Sequence, residues 1–324
     1  MLPVTYQDVL DALPRVHAVL SPTALYHWPG LSELLGFRFF LKHENHQPTG
    51  AFKVRGGVNL VSRLSEAERQ AGVLAVSTGN HGQSLAFACE RFGVRCTIVA
   101  PQRNNPDKIR AIRQRGAEII EHGRDFDEAR EYLETELAPR GGRYVHSANE
   151  SELIAGVGSL SWEIFEVLPD PDVILVPIGL GSGVCGACIV AAARRPQTQV
   201  IGVQAEGASA VAQSWRGGNV VTTEKADTWA EGIATRAPAS MTLDIMRRLM
   251  HDVILVDDDL LRCGVYQILQ HTHNLAEGAG AAAFAAAWKE RERFGGKTVV
   301  GILSGGNLDL AELPHILATN DGMP

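Results

Sequence analysis

Short apolar runs alternate along most of this chain with longer amphipathic stretches, and that alternation restricts the fold more than any other feature of the sequence. Seven runs read as strands: Phe39 to Glu44, Val73 to Ser77, Cys96 to Ala100, Glu118 to Glu121, Val173 to Ile178, Val200 to Ala205 and Thr298 to Leu303. Helical patterns cover Gln83 to Phe92, Pro106 to Arg115, Asp125 to Leu137, Glu150 to Leu168, Val184 to Arg194 and Glu277 to Arg293. Strand and helix in turn imply parallel sheets covered by helices on both faces, so the expected class is α/β. End signals agree: Asn105 stands as an N-cap before Pro106, and Gly116 follows Arg115 as a stop. No linker rich in Pro, Gly or Ser divides the chain, so a second lobe is expected as an insertion. Residues 1–71 with 150–324 form the larger lobe in this reading, and residues 72–149 the smaller.

Composition narrows the function classes. A net charge of -7 argues against a nucleic-acid surface, and no apolar stretch reaches the ~18 residues of a membrane span. The N-terminus carries acids and prolines where a secretory signal needs a basic and then an apolar run, so the expected compartment is the cytoplasm. Five irregularly spaced cysteines fit reduced thiols. Cys185 and Cys188 form a C-x-x-C pair, but no second pair stands at zinc spacing, and their neighbours read as a packed helix. Glycine is in excess, 33 of 324 residues, and part of that excess falls in four loops.

The first loop, Gln47-Pro48-Thr49-Gly50-Ala51-Phe52-Lys53, places Lys53 in the first turn of a helix. Apolar neighbours and the positive end of the helix dipole disfavour its charged form, leaving an amine for a Schiff base; a plain surface lysine is the alternative. The second, Ser77-Thr78-Gly79-Asn80-His81-Gly82, offers hydroxyls and free N–H groups to a carboxylate, or is a simple capping turn with Ser77 or Asn80 as cap. The third, Gly179-Leu180-Gly181-Ser182-Gly183, lets backbone N–H groups approach a phosphate; its G-x-G-x-G spacing departs from the dinucleotide fingerprint. The fourth, Ser304-Gly305-Gly306-Asn307, ends the last strand. All four follow expected parallel strands, at the edge where open α/β sheets bind ligands. A lysine, a hydroxyl-and-amide loop, a phosphate cradle and a terminal serine together describe a pocket for pyridoxal 5'-phosphate.

With QPTGAFKVRGG, STGNHG, GLGSG, EGAGA and SGGN in this order from Pro22-Thr23 to Asn307, the chain resembles the threonine/serine dehydratases (ammonia-lyases) of the fold-type II, tryptophan-synthase-β-like enzymes that use pyridoxal phosphate. The resemblance implies two lobes, each with an open, mainly parallel twisted sheet, and a homodimer. It also implies roles. Lys53 looks like the Schiff-base lysine, Phe52 and Asn80 like the residues on the ring, Gly179, Leu180, Gly181, Ser182 and Gly183 like the phosphate loop, and Ser304 like the partner of the ring nitrogen. Ser77, Thr78, Asn80 and His81 match the loop for the substrate carboxylate. Glu277 lines the cofactor site on this resemblance, or simply starts a helix favourably.

Three departures from the family pattern matter. Leu180 and Ser182 replace two glycines of the usual phosphate loop, so Leu180 is expected to point away from the phosphate. Thr78 stands where racemising members carry serine, and its added methyl group weakens racemisation. Gln204 and Ala210 stand where metal-dependent members carry acidic ligands, so no metal is expected there. The implied reaction is β-elimination from L-threonine or L-serine to a 2-oxo acid and ammonia, with a small amino acid as the substrate. A dehydratase for a hydroxyectoine-derived hydroxy amino acid, a serine racemase with side dehydration and a cofactor carrier without turnover remain the competing readings. The chain ends soon after SGGN, so no C-terminal regulatory domain is expected.

Overall fold

The structure, a computed structural model, describes residues 2–102 and 104–319. Its ten strands are β1 (Leu25–His27), β2 (Arg38–His43), β3 (Val73–Val76), β4 (Cys96–Ala100), β5 (Glu118–Glu121), β6 (Arg143–Tyr144), β7 (Val173–Pro177), β8 (Gln199–Ala205), β9 (Asp252–Val256) and β10 (Thr298–Leu303). They form a six-stranded sheet in the order β1-β2-β10-β7-β8-β9 and a four-stranded sheet in the order β5-β4-β3-β6. Every pairing is parallel except β1 with β2. The α/β class is therefore as expected, and all seven strands read from the sequence are present. Of the others, β1 and β6 have little apolar signal because they are short and half-exposed, whereas β9 repeats the apolar run of its neighbours.

The larger sheet is apolar on both faces because it separates two cores. Along β7, Val173 and Leu175 face one core and Ile174 and Val176 the other; β10 divides the same way, with Val299 and Leu303 against Val300 and Ile302. One core is closed by the helices Asp258–Thr272 and Gly278–Lys289, the other by Tyr6–His17, Ser151–Val167 and Ser182–Arg194. In the Gly278–Lys289 helix the small side chains allow close contact with the sheet: a Cβ at Gly301 of β10 would lie 3.3 Å from that of Ala283.

The smaller sheet lies wholly within residues 73–144, and its core draws in more of the chain. Val54, Val58 and Val61, from the helix Lys53–Ser62, pack with Val73, Ala75, Leu85 and Ile98. The helix that begins at Lys53 therefore follows a strand of the larger sheet and packs into the core of the smaller one. The stretch expected as one helix from Asp125 to Leu137 is α-helical over Phe126–Tyr132 and widens to a π turn over Leu133–Leu137. Pro139, which has no N–H, prevents the α ladder from running on.

Two residues after Lys53, Arg55 is completely buried. Its guanidinium donates to Glu44 Oε2 at 2.7 Å and to Glu163 Oε1 at 2.6 Å, while Lys42 Nζ lies 2.5 Å from Glu163 Oε2. Two buried cations thus face two buried anions, the arrangement a low-dielectric interior requires. Burial opposes the Glu163 charge, yet Arg55 and Lys42 together hold its carboxyl below the usual carboxylate range. Nothing in the local sequence signalled this cluster, because its members come from a strand, a turn and two helices.

Candidate active site

Three of the four loops leave strands that are neighbours in the larger sheet. The Lys53 loop follows β2, the Ser304 loop follows β10 and the Gly179–Gly183 loop follows β7, in the spatial order β2-β10-β7. The first two are joined directly. Phe52 N–H donates to Ser304 O at 3.0 Å, Gly306 N–H donates to Gly50 O at 2.9 Å, and Ala51 bridges Gly305. Lys53 is the first residue of its helix, and its Nζ donates to Ser182 Oγ at 3.1 Å. Burial pushes its ammonium down to about 8. Phe52 supplies a wall between the two loops, since a Cβ at Gly183 would sit 3.3 Å from its ring.

The Gly179–Gly183 loop opens the helix Ser182–Arg194 through Gly181, whose φ of 102° is the left-handed region that favours glycine. Cys185 N–H is the first to find a carbonyl one turn back, at Gly181, which leaves the N–H groups of Ser182, Gly183 and Val184 pointing out of the helix start. Gly179 is required by crowding: a Cβ there would lie 2.5 Å from Gly232 O. Leu180 is half-exposed and lies in none of the buried clusters, while its carbonyl accepts from Thr242 Oγ1 at 2.5 Å. A ring of outward N–H groups beside a hydroxyl and an amine suits a phosphate monoester.

The Ser77–Gly82 loop ends β3 in the smaller sheet. Here the capping alternative is present in the structure. Ser77 Oγ accepts from Gly79 N at 3.0 Å and from Gly82 N at 2.8 Å, so its hydroxyl caps the helix Asn80–Phe92, in which Gly79 is the N-cap residue. The N–H groups of Asn80 and His81 at that helix start have no intrahelical acceptor, which makes them the anion donors of the loop. Thr78 is half-exposed, and its carbonyl accepts from Asn104 Nδ2 at 3.1 Å. The His81 ring is buried, 3.5 Å from Val145 O, and burial with the nearby Lys53 charge pushes it down to about 3, so it is neutral.

Asn80 meets the large sheet through its side chain. Its Nδ2 donates to Glu277 Oε1 at 2.7 Å, and its Oδ1 accepts from Asn307 Nδ2 at 2.8 Å. Asn307 Nδ2 also donates to Thr49 O, 2.8 Å away. Glu277 N–H in turn donates to Gly305 O at 3.0 Å. Burial pushes the Glu277 carboxyl up, against the pull of Lys108 and of the Asn80 amide. Glu277 is therefore both a helix N-cap and a member of the site. Sequence reasoning assigned no role to Asn307, Lys108, Glu231 or Thr242; Asn307 closes the SGGN motif, but the other three carry no motif signal. A narrow open cleft runs past Lys108, Glu231, Glu277 and Asn307.

Other expectations fall elsewhere. Gln204 is buried, with Oε1 accepting from Ala212 N at 2.9 Å, and Ala210 begins the helix Ala210–Gly217. Cys185 and Cys188 are buried in the helix after the phosphate loop, and Cys185 Sγ donates to Thr242 O at 3.3 Å. Among the described residues, no helix is long and apolar enough to cross a membrane.

The outward N–H groups, the glycines with no room for a Cβ and the amine depressed by burial fit pyridoxal phosphate as a resident group. Comparison with known proteins agrees. The chain is 36% identical to an L-threonine ammonia-lyase of Thermotoga maritima over 97% of its own length and 78% of that protein's. It is 33% identical to a catabolic L-threonine dehydratase of Escherichia coli, covering 97% of this chain and 96% of the relative. The structure of threonine deaminase isoform 2 from Solanum lycopersicum superposes with a TM-score of 0.92 at 30% identity, over 98% of this chain and 93% of that one. Residues 16–305 match the family model described as pyridoxal-phosphate dependent enzyme, and the chain belongs to that family.

Proposed function

We propose that this enzyme is a threonine/serine ammonia-lyase that converts L-threonine and L-serine to a 2-oxo acid and ammonia by β-elimination. The observation that carries the reading is the amine of Lys53, 3.1 Å from Ser182 Oγ at the head of the phosphate cradle, with the neutral hydroxyl of Ser304 on the adjoining loop. Pyridoxal phosphate, when bound, supplies an electron sink for the charge left at the amino acid's α-carbon. Lys53 would be its attachment point, and Phe52, Asn80, Glu277 and Ser304 would hold the ring. Gly179, Leu180, Gly181, Ser182 and Gly183 hold the phosphate.

The substrate carboxylate rests on the Ser77–His81 loop, where the N–H groups of Asn80 and His81 receive it and the His81 ring, being neutral, contributes no charge. With its pKa near 8, the Lys53 amine is available in neutral form close to neutral pH, and it removes the α-proton as general base. The same proton goes back from Lys53 to the leaving β-hydroxyl, which departs as water when the Cβ–O bond breaks. Hydrolysis of the released enamine yields the 2-oxo acid and ammonia. Ser304, unlike an aspartate, offers the ring nitrogen no negative charge, which favours prompt loss of the hydroxyl over storage of the charge. In this reading residues 72–149 form the smaller lobe carrying the carboxylate loop, the enzyme works as a cytoplasmic homodimer, and Gln204 and Ala210 leave the elimination independent of a divalent cation at that position.

The test is a substrate panel on the purified, cofactor-loaded protein, run with and without a chelator. L-threonine should yield 2-oxobutanoate and ammonia in equal amounts in both arms. A loaded protein that releases no 2-oxo acid from either L-threonine or L-serine overturns the reading.

A further inference from the structure

Lys108 lies in the first turn of the helix Pro106–Arg113, beside the smaller sheet. Its stem covers the Ser77–Gly82 loop: a Cβ at Gly79 would sit 3.3 Å from Lys108 Cδ. Three residues earlier in the same approach to the helix, Asn105 caps it, and Asn104 Nδ2 holds the carbonyl of Thr78 at 3.1 Å. The Lys108 ammonium then reaches across the cleft to pair with Glu231 Oε2. Lys108 is 12% exposed and Glu231 46%.

Glu231 opens the short turn Glu231–Ile233, which is held on one side by helices of the larger lobe and on the other lies against the Gly179–Gly183 loop. Upstream, Thr228 Oγ1 and Trp229 N donate to the Asp258 carboxylate at 2.5 and 3.2 Å, and the Trp229 ring fills the space a Cβ at Gly278 would need. Downstream, Gly232 O occupies the space beside Gly179 of the proposed phosphate cradle, 2.5 Å from where a Cβ would stand. One ion pair therefore ties the loop that faces the substrate to the turn that walls the cofactor phosphate.

We propose that Lys108 and Glu231 form a clasp that holds the Ser77–Gly82 loop at its working distance from the cofactor cradle, acting as positioning residues for the amino-acid substrate. The inference rests on the function proposed above for the identity of that substrate, and on the geometry alone for the clasp. With Glu231 nearly half exposed, the pair is screened and contributes little to global stability, so its loss leaves the fold and cofactor retention intact. The loss falls on substrate binding, because a loosened loop must be ordered again each time a carboxylate docks. Once docked, the substrate itself bridges loop and cradle, and turnover proceeds as before.

The test compares cofactor-loaded wild type with K108M, E231Q and the swapped pair K108E/E231K. Each single variant should raise KM for L-threonine about threefold to fivefold with kcat changed less than about twofold, and the swapped pair should return KM to near the wild-type value. Amide hydrogen exchange supplies a readout that needs no substrate: residues 78–83 should exchange about threefold to fivefold faster in both single variants and recover in the swap. If wild type turns over no amino acid while this exchange pattern holds, the clasp stands and the proposed function falls. Unchanged exchange in the single variants overturns the clasp, whatever the kinetics. So does a KM effect in K108M alone, which would make Lys108 a direct substrate contact.

Discussion

Asn80 Nδ2 donates to Glu277 Oε1 across 2.7 Å, joining the first residue of a helix beside the smaller sheet to the N-cap of a helix on the larger one. The Glu277 oxygen accepts from Nδ2 while Asn307 donates to Oδ1, and the two bonds together fix the orientation of the Asn80 amide. Glu277→Ala should leave the amide free to turn. The expected result is a shifted cofactor absorption band and about a tenfold to hundredfold loss in kcat/KM, the scale of a lost hydrogen bond to a charged group. Glu277→Gln, which can still accept, should recover much of the band position in an absorbance titration.

Lys53→Ala should abolish the visible band and lower turnover by about two to four powers of ten, the range for loss of a positioned general base. Full turnover in this variant would remove Lys53 from its role. In the cofactor-free protein, attack on the aldehyde requires the neutral amine. With the pKa near 8 rather than 10.5, reconstitution should speed up as pH rises toward 8 and level off above it. An ordinary lysine would keep accelerating past pH 10 in the same stopped-flow experiment.

Gly181→Ala forces a side chain into left-handed backbone and within 3.0 Å of Thr242 Cβ. A cost of about 1–2 kcal/mol is expected, concentrated in the cradle. Equilibrium dialysis should show weaker retention of pyridoxal phosphate, with the kcat of the loaded fraction near that of wild type.

Arg55→Ala leaves Glu44 buried without its cation and Glu163 with Lys42 in place of two cations, and the expected loss is about 3–5 kcal/mol. Calorimetry should show a clear fall in melting temperature. The sign of the pH effect follows from the depressed Glu163 carboxyl: its contribution is present above the unfolded value of 4.5 and is lost as pH falls below that toward the folded value. Wild type should therefore lose stability on acidification through this window more steeply than Glu163→Gln.

Thr78→Ser removes one methyl group from a half-exposed position in the substrate loop while keeping the hydroxyl. Chiral chromatography of L-serine incubations should show a higher ratio of D-serine to pyruvate than wild type. An unchanged ratio would mean that the methyl group does not limit proton delivery to the opposite face.

Much of the site was legible locally. The Lys53 turn, the glycines of the 179–183 loop and the Ser77 loop each combine a strand end with a helix start, and short-range chemistry writes such junctions into adjacent residues. The Ser77 loop offers two alternatives in sequence, a capping turn or a carboxylate loop, and the tertiary structure shows that capping occupies the hydroxyl. For Glu277 the sequence offers a helix start or a site role, and the structure shows the N-cap position together with a hydrogen bond from Asn80.

The sequence by itself determined the α/β class, the strand-end loops and the chemistry each can offer, because apolar period, glycine placement and capping residues act over a few positions. Only the tertiary structure decided the spatial order β2-β10-β7, which makes neighbours of loops more than a hundred residues apart. It alone brought Arg55 to Glu163, Asn80 to Glu277 and Lys108 to Glu231. The physical reason is that a charged or amide side chain is satisfied by whatever partner packing places within about 3 Å, and packing is set by the burial of two sheets and their helices rather than by any local pattern.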